Sequence, residues 1–362
     1  MALAGRKVAV IGAGVGGLAA ATAMAERDAE VEVFEQAPFL SEVGAGVQVG
    51  PNGVAVLEAL GMRDDAEHLA TIPEDIVLRD WRSDRIVARI GLGDACIKRY
   101  GRPYWQFHRA DLLSALMAGA SEVGVHLRLD HRVDAVTPRD DGVTLQFANG
   151  AEHIADLVVA ADGVRSSVRA AHFASEPARF TGHVAWRGLI DAARAPASVI
   201  SQGASVTMGP GRHIVIYPLR DGHLINFVAV EERPDWTIDG WTEPDDPENL
   251  RRAFAGWEGA AADLLATVEE TFLWGLFDHP PLETWSKGRI GLLGDACHPM
   301  LPFLAQGATM ALEDAWVLAA ELDVAEDVEQ GWLAYEARRR PRATRVQHAA
   351  ARNGRLYHLG PR

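Results

Sequence analysis

The first forty residues alternate between short apolar runs and one glycine-rich turn. Lys7–Ile11 is almost wholly apolar and too short for a helix, which predicts a buried strand. Val15–Glu26 follows with the small-residue, Ala-rich composition of a helix, and Val31–Glu35 reads as a second strand. Strand, tight turn, helix, strand is a βαβ unit whose two strands pair in parallel. Three more apolar stretches, Val133–Thr137, Val143–Ala148 and Glu152–Val159, are separated by Asp141-Gly142 and Asn149-Gly150. Both dipeptides favour the positive-φ turns of hairpins, so a three-stranded antiparallel meander is predicted. Arg212–Leu219 and His223–Val230 flank Asp221-Gly222 as a further hairpin. Gly288–Leu293 reads as another buried strand, followed by a long loop, a helix from about Gln306 to Leu322, and an Arg- and Ala-rich helical stretch to Arg362. Residues 232–249, rich in Pro, Asp, Glu and Trp, read as a loop or boundary.

Composition narrows the function classes. The 362 residues suit two domains or one large one, and 48% hydrophobic content is enough for a sizeable core. With 35 Lys+Arg against 50 Asp+Glu the net charge is −15, which argues against nucleic acid as a partner, because phosphate backbones need a cationic surface. Cys96 and Cys297 are the only cysteines; they make no disulfide framework and no recognisable metal site, and a reducing cytoplasm fits best. Arg6-Lys7 before an apolar run mimics a signal peptide, but the glycine turn and second strand mark the start of a folded domain. No run of about 18 apolar residues occurs, so no membrane span is expected.

The glycine turn carries the first chemistry. Gly12-Ala13-Gly14-Val15-Gly16-Gly17 has the G-x-G-x-x-G spacing, follows a strand, opens a helix, and is succeeded about twenty residues on by Glu35 at the end of the next strand. Gly12 permits the tight turn, Gly14 lets the backbone approach a pyrophosphate, and Gly17 lets helix and strand pack closely. The pyrophosphate then sits on the helix N-terminus, and Glu35 accepts from ribose hydroxyls. This establishes a dinucleotide site without naming the dinucleotide. Two later segments discriminate. Asp162-Gly163 ends a strand and precedes Arg165, Ser166 and Arg169, and Gly294-Asp295-Ala296-Cys297-His298-Pro299 follows another strand, ahead of Gln306-Gly307-Ala308 at a helix start. An Asp at a strand end can hold ribose or ribityl hydroxyls, and a helix N-terminus favours the negative charge of a reduced isoalloxazine.

With these three motifs in this order, the chain resembles the group A flavoprotein monooxygenases, the single-component aromatic hydroxylases of the para-hydroxybenzoate hydroxylase superfamily. Within them it is most similar to salicylate and 3-hydroxybenzoate hydroxylases, through Glu42–Asn52, His108-Arg109-Ala110-Asp111-Leu112 and Tyr217-Pro218-Leu219-Arg220. The resemblance implies an α/β fold: a Rossmann-like FAD domain of βαβ and meander elements, an inserted, mostly antiparallel substrate sheet, and C-terminal helices closing back on the FAD domain. It divides the chain into FAD-binding parts at 1–73, 101–182 and 276–362 and substrate-domain parts at 74–100 and 183–275. It also implies that Glu35, with Gln36 beside it, and Arg109 hold the adenosine half of FAD. Val133 offers backbone to the adenine, Asp162 takes a shared part in FAD and nicotinamide binding, and Asp295 holds the ribityl chain. Gly46 and Val47 line the isoalloxazine, with Gly307 and Ala308 at its pyrimidine end.

On the substrate side, period-two alternation puts His213, Val215 and Tyr217 on one face of a strand. Hydroxylation through a flavin hydroperoxide transfers an electrophilic oxygen, and a phenol reacts faster as phenolate, so a His or Tyr within reach of the hydroxyl suits the chemistry. The resemblance assigns His213 and Tyr217 to substrate binding and catalysis, and places Pro302 where 3-hydroxybenzoate hydroxylases carry a polar Gln, so regiochemistry does not transfer. The plainer alternatives are a core tyrosine and a structural histidine. Arg187, in Ala185-Trp186-Arg187-Gly188, meets a substrate carboxylate or forms an ion pair between domains. Trp81, Tyr104, Trp105 and Trp274 either wall the pocket or fill the core.

The expected activity is therefore hydroxylation of a small hydroxylated aromatic acid with FAD, O2 and NADH or NADPH, the resemblance favouring NADH, by a monomer or homodimer. The competing readings are a flavin-dependent hydroxylase or epoxidase of a pyridine, purine or larger biosynthetic substrate, and a non-catalytic flavin-binding protein.

Overall fold

The computed structural model describes residues 3–39, 45–173, 176–201, 203–236 and 243–359. Strand β1 (Lys7–Ile11), helix α1 (Val15–Ala25) and strand β2 (Glu30–Phe34) form the βαβ unit, with β1 and β2 parallel from Lys7 opposite Glu30 to Ile11 opposite Phe34. They sit inside a six-stranded sheet whose order is Ser286–Lys287, Ile290–Leu292, Leu157–Ala160, β1, β2, His126–Arg128. The central strands are apolar on both faces because both faces are covered, as a parallel sheet requires. Helix α1 packs against the helices Arg109–Glu122 and Gly307–Val324.

The meander forms from Val133–Pro138, Val143–Phe147 and Glu152–Ala155, antiparallel throughout. It lies against the end of β2, where the rings of Phe34 and Phe147 approach to 4.7 Å. One expected strand is divided. Glu152–Val159 breaks at Asp156, leaving Glu152–Ala155 in the meander and Leu157–Ala160 paired in parallel with β1. Asp156 makes the crossing: its carboxylate accepts the Lys7 amide and its own amide donates to the Lys7 carbonyl. The change from alternating to continuous apolar residues at Leu157 is the trace of that transfer between sheets.

The second large sheet has eight strands, ordered Glu243–Asp245, Thr271–Asp278, Arg179–Asp191, Leu224–Glu232, Arg212–Leu219, Ala204–Gly209, Asp75–Asp80 and Ile86–Gly91. It is antiparallel except where Ala204–Gly209 runs parallel to Asp75–Asp80. The hairpin at Asp221-Gly222 closes with three successive positive φ values, at Arg220, Asp221 and Gly222, and its second strand continues to Glu232. Part of 232–249, expected as loop, is an edge strand at Glu243–Asp245 and a helix from Pro247; residues 237–242 lie outside the described residues. Ile214, Ile216 and Phe227 bury one face of this sheet with Trp186 and Leu264. Ala185, Val230, Trp274 and Leu276 of the other face pack with Leu301 and Phe303. Helix Val328–Tyr357 closes the chain. Among the described residues no helix is long and apolar enough to cross a membrane.

Candidate active site

The glycine turn has the geometry its spacing predicts. Gly12 has φ +101°, and a Cβ there would lie 2.5 Å from the Ala161 carbonyl oxygen. A Cβ on Gly17 would lie 2.0 Å from the Gly12 carbonyl oxygen, so any side chain would part helix from strand. Gly14 differs: nothing lies within 4 Å of its would-be Cβ, and it starts α1 with no side-chain cap. The first amides of α1 therefore take no side-chain cap, and the positive end of the helix dipole lies behind them. Glu35 is part of this turn, since its two carboxylate oxygens accept the Ala13 and Ala37 amides, each at 2.9 Å. Each oxygen keeps a lone pair for a hydroxyl. Gln36 is exposed beside it. Val133 begins the meander two residues after His131, whose amide donates to the Glu35 carbonyl.

Arg169 joins the second and third motifs. Buried, it donates through Nη1 to the carbonyls of Ala296 and Cys297, at 3.3 and 2.7 Å, which pins the Gly294–Cys297 loop beside Asp162-Gly163. Ser166 caps the helix Ser167–His172 by accepting the Arg169 amide, and Asp162 accepts the Ser167 amide at 2.9 Å through one oxygen. The other oxygen, Oδ1, is buried with no hydrogen-bond partner among the described residues. Asp295 is open to solvent, yet it lies in a recess: desolvation raises its pKa, against the pull of His298 and Arg109. Cys297 is buried, and desolvation pushes its thiol well above the usual range, which makes it a packing residue.

A buried polar network holds this loop to the helices behind it. His298 Nε2 meets Asp314 Oδ2 at 2.5 Å, and Asp314 Oδ1 accepts from Arg339 Nε at 2.6 Å. Arg339 also meets Glu313, which accepts Arg342 and the Asn52 amide, and Asn52 reaches Gln306 at 3.3 Å. Desolvation opposes the charge on Asp314, but His298 and Arg339 more than offset it, so its pKa is lowered. Burial likewise opposes protonation of His298, and Asp314 overrides it, so its pKa is raised. The network ties Gly294–His298, the Gln306-Gly307 helix start and the Pro51-Asn52 helix start into one rigid wall.

The large sheet supplies the opposite wall. Tyr217 is buried, and a Cβ on Gly46 would lie 2.4 Å from its hydroxyl oxygen. Asn226, paired in register with Tyr217, accepts the Gly46 amide at 2.7 Å, and its own Nδ2 is buried without a partner among the described residues. Val47 continues the ribbon Gly46–Val49, which pairs with Trp105–His108. Arg220 forks onto Asp111 at 2.7 and 2.8 Å, fixing the hairpin to the helix that begins with the exposed Arg109. His213 lies on the Tyr217 face, buried between the rings of Phe303, Tyr357 and His358. Arg187 lies half-buried with its guanidinium 4.4 Å from the Trp274 ring centroid; desolvation, with Arg109 adding repulsion, lowers its pKa to about 10. Trp186 is a core residue, its Nε1–H held by Asp245 at 2.6 Å, and Trp105 is core as well. Trp81 packs on Trp257 under Gly209, and Tyr104 donates to Gln48 at 2.6 Å. Pro302 is exposed at the first position of a 3-10 turn, its carbonyl accepting the Ala305 amide.

Comparison with known proteins shows the family to which the chain belongs. Residues 6–350 match the family described as FAD binding domain. The chain is 40% identical over 360 residues to 3-amino-4-hydroxybenzoate 2-monooxygenase PtnB3 of Streptomyces platensis, spanning 98% of this chain and 90% of that protein. It is 37% identical over 356 residues to 3-hydroxybenzoate 6-hydroxylase of Polaromonas naphthalenivorans, spanning 97% and 88%. The structure of Klebsiella pneumoniae HpxO complexed with FAD and uric acid matches with a TM-score of 0.86 at 29% identity, covering 98% of this chain and 89% of that one. The chain belongs to the FAD-dependent aromatic monooxygenases.

The residues of this monooxygenase fit FAD. An uncapped helix start beside an open Gly14 suits a pyrophosphate. The orphaned Asp162 oxygen and the solvent-facing Asp295 carboxylate would suit sugar or ribityl hydroxyls as acceptors. Gly307, with Ala308 next to it, begins a second uncapped helix with nothing within 4 Å of its would-be Cβ. Two contributors escaped the sequence. Asn226 sits mid-strand with no motif around it, and His358, which contacts His213, lies 145 residues away near the chain end. Neither carries a local signal, because each acts only through a long-range contact.

Proposed function

We propose that this monooxygenase hydroxylates a small aromatic acid bearing a ring hydroxyl, of the aminohydroxybenzoate or hydroxybenzoate class, using NAD(P)H and O2. The observation that carries the reading is the pairing of Tyr217 and His213 on one buried strand face that abuts Gly46. Bound FAD supplies the activated oxygen; the chain's residues bind, orient and manage the proton. On this reading the start of α1 would hold the pyrophosphate, Glu35 and Arg109 the adenosine half, Asp295 the ribityl chain, and Gly46, Val47 and Gly307 the ring. The eight-stranded sheet is the substrate side of the cleft.

Tyr217 and His213 divide the work by their surroundings. Burial raises the Tyr217 pKa, with Tyr104 adding to it, so Tyr217 stays protonated and donates a hydrogen bond to the substrate oxygen. Burial lowers the His213 pKa well below the ordinary value, so it enters neutral and accepts the substrate proton. Arg187, poised over Trp274, pairs with the substrate carboxylate. A purine substrate is the second reading, favoured by the likeness to the uric acid complex of HpxO, though at lower identity than to the benzoate hydroxylases.

The test is NAD(P)H oxidation by FAD-loaded protein across hydroxybenzoates, aminohydroxybenzoates, hydroxypyridine carboxylates and uric acid, with product identification. A benzoate that stimulates oxidation and gains a hydroxyl supports the reading. Stimulation by uric acid alone transfers it to purines. In Tyr217→Phe, hydroxylation per NAD(P)H consumed is expected to fall several-fold, and unchanged coupling would return Tyr217 to the core.

A further inference from the structure

His213 does not end in a hydrophobic pocket. Its Nδ1 lies 2.7 Å from His358 Nε2, and His358 Nδ1 lies 2.7 Å from Glu232 Oε1. The three groups step outward: His213 is 1% exposed, His358 is 7% exposed, and the Glu232 side chain is 53% exposed. Backbone contacts fix their spacing, since the Gly211 amide donates to the His358 carbonyl and the Glu232 amide to the Gly211 carbonyl.

Hydrogen-bond logic sets the direction of this chain. An ionised carboxylate only accepts, so His358 carries its proton on Nδ1. A neutral His358 then accepts at Nε2, so His213 carries its proton on Nδ1 and leaves Nε2 bare. Burial lowers the pKa of both imidazoles, which agrees with two neutral rings. A buried imidazole standing alone would have to keep any proton it took as a desolvated cation.

We propose that His358 and Glu232 are positioning residues that make His213 an effective base by relaying the substrate's proton to solvent. The proposal rests on the reading of His213 as the proton acceptor. The phenolic O–H bond breaks and an N–H bond forms at His213 Nε2. The Nδ1 proton of His213 passes to His358 Nε2, and the Nδ1 proton of His358 passes to Glu232, from which water removes it. One proton leaves the site and no ring ends charged, with water at the half-exposed Glu232 donating to both the carboxylate and the bare His358 Nδ1; the reverse movement returns one proton when product departs as a phenol, resetting the tautomers. The other groups facing the chain are the His183 ring, 5.5 Å from that of His358 and bonded through Nδ1 to the Thr181 carbonyl, and Arg212, which is held by Glu231. The remaining neighbours, Phe303 and the Tyr357 ring, pack on His213 and shield it from water.

The experiment titrates the bound phenol spectroscopically, using 3-hydroxy-4-nitrobenzoate as a chromophoric probe on the FAD holoenzyme, with no turnover required. The variants are Glu232→Gln, Glu232→Asp, His358→Phe and His213→Gln. The relay is supported if Glu232→Gln and His358→Phe raise the phenol midpoint by about one pH unit, a tenfold loss of acidity, while Glu232→Asp retains the wild-type midpoint and probe affinity at low pH changes less than about twofold. If His213→Gln raises the midpoint and Glu232→Gln does not, the relay is wrong and His213 acts alone. If His213→Gln leaves the midpoint unmoved, the reading of His213 as acceptor falls, and the relay with it. Should His358→Phe fail to fold, Glu232→Gln at the exposed end decides.

Discussion

Replacing Asp314 by Asn keeps the shape of a wholly buried side chain and removes its charge. Asp314 accepts from two partners, His298 Nε2 at 2.5 Å and Arg339 Nε at 2.6 Å. An Asn offers one acceptor oxygen and must turn its NH2 toward the other donor, so one hydrogen bond becomes a donor–donor contact and Arg339 loses half its compensation. Breaking a buried pair in this way costs about 3–5 kcal/mol. For a chain of this size that corresponds to a Tm lowered by roughly 4–7 °C. The pH dependence of the gap between wild type and variant follows from the two shifts. The raised His298 pKa gives stability that is fully present below its unfolded value of about 6.5 and is lost as pH rises through the folded value. The lowered Asp314 pKa gives stability that is present above about 3.9 and is lost as pH falls through the folded value. The gap is therefore widest near pH 5–6 and narrows on the alkaline side, where only the Arg339 share remains. Calorimetry of both proteins from pH 5 to 9 measures it directly. A gap under about 2 °C at every pH would refute the claim that this network holds the wall together.

Three further outcomes follow from the cleft. Asp295→Ala removes a solvent-facing carboxylate with no packing role, so FAD retention should drop while the apoprotein Tm stays within about 2 °C; equal flavin occupancy after gel filtration would clear Asp295 of cofactor binding. Gly46→Ala drives a methyl to within 2.4 Å of the Tyr217 hydroxyl oxygen, and overpacking of about 1–3 kcal/mol should displace the ring, lower coupling and weaken flavin binding together. Gly17→Ala meets backbone rather than a movable side chain, so it should yield folded protein poorly or without FAD, and full occupancy in the variant would contradict the close packing of α1 on Gly12.

Local signals gave away the nucleotide half of the molecule. The bounds of β1 and α1 follow from an apolar run ended by glycine, and the meander follows from two dipeptide turns, because these depend on residues a few positions apart. Glu152–Val159 was harder, since both halves favour strand and only the topology places them in different sheets. Trp186 and Arg187 adjoin in sequence but point to opposite faces of the sheet, Trp186 into the helix-covered core and Arg187 onto Trp274, as strand alternation demands. The Glu35 motif was legible; its grip on the Ala13 and Ala37 amides was not, because that needs the folded turn. Asn226, Arg169 and His358 gain their roles from partners more than a hundred residues away, and no window along the chain contains both members of any such pair.

On the proposed function, bound FAD would deliver one oxygen atom of O2 into the ring of an aromatic acid held on the large sheet. The most direct test is turnover under isotopically heavy dioxygen with the FAD-loaded protein, NADH and 3-amino-4-hydroxybenzoate or 3-hydroxybenzoate, followed by mass spectrometry. One heavy oxygen atom in the ring-hydroxylated product is the expected result. NADH consumption that yields only hydrogen peroxide and unaltered acid, for these and every other ring acid tried, would rule out that function.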